Sequence, residues 1–388
     1  MIDHELMLSD TLKDIKPSGI RKFFDLLADM GDVTALTVGQ PDFVTPWHIR
    51  EAAIQSLERG HTYYTSNSGL PELRKEVCNY MSRRFDLEYE PGEVLITVGG
   101  SEAIDVAMRS LVNPGDEVIV PMPSFVCYEP IARMAGAVPV IINTKAENGF
   151  KLTADELRSA ITPKTKLLVL PYPNNPTGAI LNREELCAIA EVLEDTNIPI
   201  LSDEIYAELT YDERHVSIAS IEGMRERTII ASGFSKAYAM TGWRLGYLCG
   251  PSTWIKQMTK LHQYAIMCAP TVSQFAAVEA LKNGDEDIAE MRAEYNRRRV
   301  FIAEGLREIG LPVMMPEGAF YIYPYIGGFG LSSEEFCQRL LMEEKCAIVP
   351  GTAFGECGEG YARISYAYSV KHISEALEKI KRFVDKLK

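Results

Sequence analysis

Basic side chains are in deficit in this chain: 40 lysines and arginines stand against 54 aspartates and glutamates, a net charge of −14 over 388 residues. A nucleic-acid surface needs clustered cations to displace counterions, so no nucleic-acid partner is expected. The charge says little about a small-molecule site, which a few local groups decide. No apolar run approaches the roughly 18 residues that a membrane-crossing helix needs, so no membrane partner is expected either. Met1-Ile-Asp-His-Glu5 has neither the basic nor the apolar segment of an export signal. The eight cysteines, at 78, 127, 187, 249, 268, 337, 346 and 357, form no CxxC pair and no Cys/His cluster with metal spacing. Most fall in apolar runs, where a free thiol behaves as a small hydrophobe, so a reducing cytoplasmic setting without a metal is expected. Internal repeats and low-complexity tracts are missing as well.

What is present is an ordinary composition, 46% hydrophobic and 24% charged, with enough length for a sizeable core and two lobes. From Glu93 to about Pro251 strands and helices alternate. Strands are expected at Val94–Val98, Val118–Val120, Val138–Ile142, Lys166–Leu170, Ile198–Leu201, Arg227–Ala231 and Leu245–Leu248. Helices are expected from Gly99 to Leu111 and from Ser124 onward. Such alternation implies a mostly parallel sheet covered on both faces, with ligands beyond the carboxyl ends of its strands. A long helix from Asp285 to Ile309 then leads into an α+β region, with strands at Phe320–Tyr323, Ala347–Val349 and Tyr361–Tyr366. Residues 1–45 read as an amphipathic arm that joins this region.

The most informative stretch is Ser232-Gly-Phe-Ser-Lys236-Ala-Tyr-Ala-Met-Thr-Gly-Trp-Arg244-Leu-Gly246. It places a lysine between two buried strands, with an arginine eight residues on. Burial penalises an ammonium, so an enclosed lysine is easily deprotonated, and a neutral amine can attack a carbonyl. Upstream, Gly99-Gly100-Ser101-Glu102 turns a strand into a helix whose free amides and dipole suit a phosphate. Asp203 ends the Ile198–Leu201 strand segment and Tyr206 follows it. Asn175 lies in Pro173-Asn-Asn-Pro-Thr-Gly178, Phe125 follows Ser124, and Gly39 precedes Gln-Pro. Taken singly each has an ordinary explanation: Asp203 as a helix cap, Phe125 as core, Asn175 as a turn residue beside proline. Arg363, inside an apolar strand, is harder to explain, because arginine is rarely buried without a partner; its planar fork matches a carboxylate.

The Ser232–Gly246 stretch matches the lysine motif of class I aminotransferases of the fold type I pyridoxal-phosphate family. The other motifs follow in that family's order over essentially the whole chain. The resemblance implies a large cofactor-binding domain of residues 46–290 and a small domain made of 1–45 and 291–388. It implies that Lys236 carries the aldehyde of pyridoxal 5′-phosphate, Asp203 faces the ring nitrogen, Tyr206 and Asn175 reach the phenolic oxygen, and Phe125 stacks on the ring. Gly100, Ser101 and Glu102, through backbone amides, would cup the phosphate with Ser235 and Arg244. Tyr64 would reach the site of a partner subunit in a homodimer. Gly39 and Arg363 would hold the substrate carboxylate, with Asn175 also among the substrate-binding residues.

Aromatic and bacterial aspartate aminotransferases look most similar. The latter often carry a lysine where Ser101 stands, so an aromatic or broad-range enzyme using 2-oxoglutarate is expected, with aspartate as the alternative. A carbon–sulfur β-lyase on the same fold is a further alternative. A regulator with a helix-turn-helix domain fused to such a fold is not expected, since only a short arm precedes residue 46 and no basic DNA-binding segment is present.

Overall fold

The computed structural model describes residues 31–388 together with His4, residues 6–13, Ile15, Pro17 and Gly19. Much of the expected amphipathic arm, including residues 20–30, lies outside the described residues.

Twelve strands are assigned among the described residues: β1 Thr34–Ala35, β2 Val94–Thr97, β3 Glu117–Met122, β4 Val138–Asn143, β5 Thr165–Leu170, β6 Ile200–Asp203, β7 Thr228–Gly233, β8 Gly246–Cys249, β9 Tyr321–Ile322, β10 Cys346–Ala347, β11 Val349–Pro350 and β12 Ala362–Ser365. Seven of them form one sheet in the order β2-β8-β7-β6-β5-β3-β4. β3 to β7 pair parallel, whereas β8 runs antiparallel to both β7 and β2. Every residue of β2, β6, β7 and β8 is buried. That is why they read as unbroken apolar runs rather than alternating ones: helices cover both faces. Because β8 alone is reversed, the carboxyl ends of β2, β3, β5, β6 and β7 share one edge of the sheet.

Two approaches of backbone to backbone close that edge. Gly233 and Gly246 face each other across β7 and β8. A Cβ on Gly246 would lie 2.6 Å from the carbonyl carbon of Gly99 and 2.8 Å from the amide of Gly100. Only glycine lets the loop that follows β7 pack on the turn that follows β2.

The second body of structure contains β1, which pairs parallel with β10, and a three-stranded antiparallel sheet in the order β11-β12-β9. The segment expected as one strand at Ala347–Val349 is two, β10 and β11, because they pair with different partners on either side of Ile348. The helix Asp285–Ile309 runs 25 residues and ends on Gly310 in the left-handed conformation, a favourable C-terminal stop. It buries Ile288, Met291, Tyr295, Ile302, Leu306 and Ile309 on one stripe, at helical spacing. Arg298 on that helix is paired with Asp42 at 2.7 Å and Glu294 at 2.8 Å, tying the segment after Gly39 to the helix. One core group gathers Leu36, Tyr206, Leu209 and Ala239 with residues of this region up to Val384. The two bodies therefore meet where Tyr206 stands.

Candidate active site

A cavity of about 370 Å³ opens at the carboxyl ends of the parallel strands. Gly39, Gly100, Ser101, Phe125, Asn175, Asp203, Tyr206, Ser235, Lys236, Arg244 and Arg363 all line it. These residues come from positions 39 to 363, and the shared strand edge is what brings them together.

Lys236 sits in the loop after β7, and its Nζ donates to the carbonyl of Gly39 at 2.5 Å. The rings of Phe320 and Tyr206 lie 5.6 and 5.8 Å from it. Burial pushes the ammonium down to about 8, and the positive charges of Arg363 and Arg244 push the same way, against Asp203. The neutral fraction of this amine therefore rises through about pH 8 rather than 10.5. In cofactor-free protein, reductive labelling of Lys236 by a small aldehyde should show a midpoint near pH 8; a midpoint above pH 10 would show the amine to be solvated.

Asp203 is the last residue of β6 and is buried. Its carboxylate accepts from the Tyr128 hydroxyl at 2.7 Å and from the Ile205 amide at 3.2 Å. Burial still raises its pKa to about 6, outweighing both hydrogen bonds. No cation forms an ion pair with it among the described residues. This is a carboxyl group whose ionised form would be favoured by a cationic N–H entering the cavity.

Arg363, on β12, is 2% exposed and also lacks a carboxylate partner among the described residues. It donates to Asn175 Oδ1 at 3.0 Å and to the Thr37 carbonyl at 2.6 Å, while its Nε has no partner at all. The guanidinium lies 4.5 Å from the Tyr321 ring centre and 4.7 Å from that of Phe354. Desolvation lowers its pKa, the only way a buried cation without a counter-ion can respond. A carboxylate ligand would supply the missing charge.

The turn after β2 forms a cup. Gly99 has φ of +78°, Gly99–Leu111 is helical, and its N-cap residue Val98 provides no side-chain cap. Arg244, itself left-handed at φ +51°, brings its guanidinium so close that a Cβ on Gly99 would lie 2.6 Å from Nη2. With the helix amides unclaimed by a cap, this corner suits a phosphate.

Two predicted site residues stand elsewhere. The side chain of Glu102 turns away from the cavity: it accepts from the Val98 amide and, at 2.6 Å, from His262 Nδ1. Its carboxylate thus braces the turn, and the expectation concerned only its amide. Tyr64 is 80% exposed and does not line this cavity, and the expectation for it concerned the site of a partner subunit. Phe125 lines it from an irregular segment, because the helix expected from Ser124 starts at Tyr128. Sequence reading missed Tyr128, Thr37 and Tyr321. Tyr128 was visible as an aromatic three residues past Phe125. Tyr321 read only as part of a strand, and its hydroxyl lies 2.8 Å from that of Tyr206.

Residues 31–380 match the family model described as aminotransferase class I and II. The chain is 54% identical over 380 residues, 98% of each protein, to the Bacillus subtilis protein YugH, whose own name carries only a provisional aminotransferase assignment. It is 44% identical to the aspartate aminotransferase of Pyrococcus abyssi, covering 97% of this chain and 98% of that one. The crystal structure of an aromatic aminotransferase from Pyrococcus horikoshii superposes with a TM-score of 0.90 at 42% identity, over 94% of this chain and 99% of that one. A motif order, a sheet edge and a whole-length likeness thus agree, and the chain belongs to the class I and II aminotransferase family, as a transaminase.

Proposed function

We propose that this transaminase works with pyridoxal phosphate and moves the amino group of aromatic or varied L-amino acids to a 2-oxo acid such as 2-oxoglutarate, in two half-reactions. The observation that carries the cofactor reading is the pair of buried, unmatched charges that line one cavity with Lys236. Asp203 awaits a cationic N–H, and Arg363 awaits a carboxylate. The cofactor's pyridinium nitrogen and the substrate's α-carboxylate are groups of those two kinds. Phe125 supplies a ring face, Tyr206 and Asn175 supply donors for the phenolic oxygen, and Gly100, Ser101, the Glu102 amide, Ser235 and Arg244 form the phosphate cup. When bound, the cofactor supplies a carbonyl carbon and an electron-withdrawing ring.

Each residue then has a task. Arg363 and the Gly39 segment orient the substrate by its carboxylate, which fixes where the α-hydrogen points. Asp203, ionised opposite a cationic nitrogen, keeps that nitrogen protonated. Lys236 Nζ, neutral in a good fraction near pH 8, takes the α-proton and gives it up again within the same enclosed space.

What lines the rest of the cavity supports this substrate class. Among the described residues, Lys236, Arg244 and Arg363 are the only cations lining it, and each already has a role. Among the described lining residues no cation is left for the second carboxylate of aspartate, and the uncharged polar groups without a role above include Gln40 and Thr241, beside apolar Val38, Ile104 and Pro173. With 2-oxoglutarate as acceptor, phenylalanine and tyrosine should react faster than aspartate. Aspartate faster by tenfold would overturn this preference, and pyruvate formed from cystathionine without an acceptor would point to a β-lyase.

A large domain of 46–290, with 1–45 and 291–388 as the small one, is the division we infer. A homodimer is part of the same reading. Tyr64, Tyr63, Trp47, Tyr264, Ile266 and Met267 are exposed apolar side chains. The segments bearing them are joined by Asn67 to the Met267 carbonyl and Thr271 to the Tyr63 carbonyl, so much of this apolar surface is continuous. Sedimentation should give a two-chain mass; a fully active single chain would rule the dimer out. Eight unpaired cysteines support a cytoplasmic setting, and a periplasmic or secreted pool in fractionated cells would refute it. No helix of the described residues is long and apolar enough to cross a membrane.

A further inference from the structure

We propose that Tyr321 is a positioning residue of this site, its hydroxyl supporting Tyr206 and its ring supporting Arg363. The inference rests on the reading that Tyr206 faces the cofactor and Arg363 the substrate.

The placement comes from strand pairing. Tyr321 on β9 pairs with Ser365 on β12, two residues beyond Arg363. Diagonal neighbours on one face of an antiparallel pair are within reach of long side chains. Here the Arg363 guanidinium carbon lies 4.5 Å from the Tyr321 ring centre. The ring faces a cation that has no counter-ion, and a π-face is a stabilising neighbour for such a group when both are out of water. Phe354 holds the guanidinium too, at 4.7 Å, so the fork is held by two aromatic rings.

The hydroxyl has a separate consequence. It lies 2.8 Å from the Tyr206 hydroxyl, and Tyr206 is its only hydrogen-bond partner among the described residues. Both rings are buried, at 1% and 5% exposure. One hydroxyl donates one proton. If Tyr206 spends its proton on the cofactor's phenolic oxygen, Tyr321 must donate into the Tyr206 oxygen. A donor that itself accepts a hydrogen bond is a stronger donor. Tyr321 therefore strengthens the interaction that stabilises negative charge on the phenolic oxygen, without touching that oxygen. Since β9 and β12 lie outside the seven-stranded sheet that carries Asp203, this couple also registers the carboxylate-binding strand against the cofactor-binding edge.

The test uses holoenzyme and four variants: Tyr321→Phe, Tyr206→Phe, the double variant, and Tyr321→Leu. The readouts are the pH midpoint of the bound cofactor's visible transition and the dissociation constant of 3-phenylpropanoate, a carboxylate without an amine. Y321F should raise the midpoint by roughly half a pH unit to one unit, the worth of one neutral hydrogen bond. It should bind 3-phenylpropanoate as wild type does, because the ring remains. Added to Y206F, the same change should shift the midpoint no further. Y321L should weaken 3-phenylpropanoate by about three- to thirtyfold, the span expected for a lost cation–π contact. An unchanged midpoint in Y321F, or equal shifts with and without Tyr206, overturns the hydroxyl role. Wild-type affinity in Y321L overturns the ring role. If Y321L fails to fold, Y321F and Y206F still decide the hydroxyl role, and Tyr321→Met, which also removes the ring, takes the place of Y321L for the ring role. A wild-type protein that never takes up pyridoxal phosphate would instead refute the reading on which all this rests.

Discussion

Lys236→Ala should lose essentially all turnover, with kcat for the full reaction falling by roughly 10⁴-fold or more. The size follows from removing two functions with one amine, the covalent attachment point and the proton carrier. Sodium borohydride followed by mass spectrometry should fix cofactor to the wild-type chain at residue 236 and leave the variant unmodified. The loss is chemical and not a folding defect, and the sign of the pKa shift shows why. Lys236 titrates near 8 when folded instead of 10.5, so the unfolded chain binds more protons between those values and stability rises with pH across that window. Below it the fold carries a buried charge at a cost that alanine removes. The variant should accordingly melt no lower than wild type at pH 7. Turnover within tenfold of wild type would refute the role of this amine.

Arg363→Leu is expected to lower kcat/KM for phenylalanine by about 10²- to 10⁴-fold. Two charge-assisted hydrogen bonds to a carboxylate are at stake, each worth about 1.5–3 kcal/mol. Lysine should restore only part of this, because an ammonium keeps the charge but not the planar fork that Asn175 and the Thr37 carbonyl hold in place. The control is an amine without a carboxylate, such as phenethylamine. Its slow reaction should be far less sensitive to the substitution. A variant that handles phenylalanine as well as wild type would show that Arg363 is structural, and an equal loss with both amines would show that its effect is general.

How legible the site was depends on whether its residues have a local reason to be where they are. Lys236 stood out because a cation between buried strands has no packing explanation. Arg363 stood out for the same reason, and each is now seen in one cavity. Tyr321 stayed hidden because an aromatic residue in a strand is what any strand contains. Its meaning comes from Tyr206, 115 residues away in the chain. Tyr128 was similar: its hydroxyl counts because Asp203 is buried next to it, which no local pattern states. The side chain of Glu102 was free to point anywhere from its helix, and His262, far along the chain, decides its direction.

Periodicity and glycine placement in the chain sufficed for the alternating strands and helices, the turn at Gly99 and the long helix from Asp285 to Ile309, since these are set by neighbours within a few residues. Folding in three dimensions settled the rest: the reversal of β8, the split of β10 from β11, and the environments that move Lys236 down to about 8 and Asp203 up to about 6. Proton affinity depends on burial and on charges brought near from distant segments, and only the packed molecule has either.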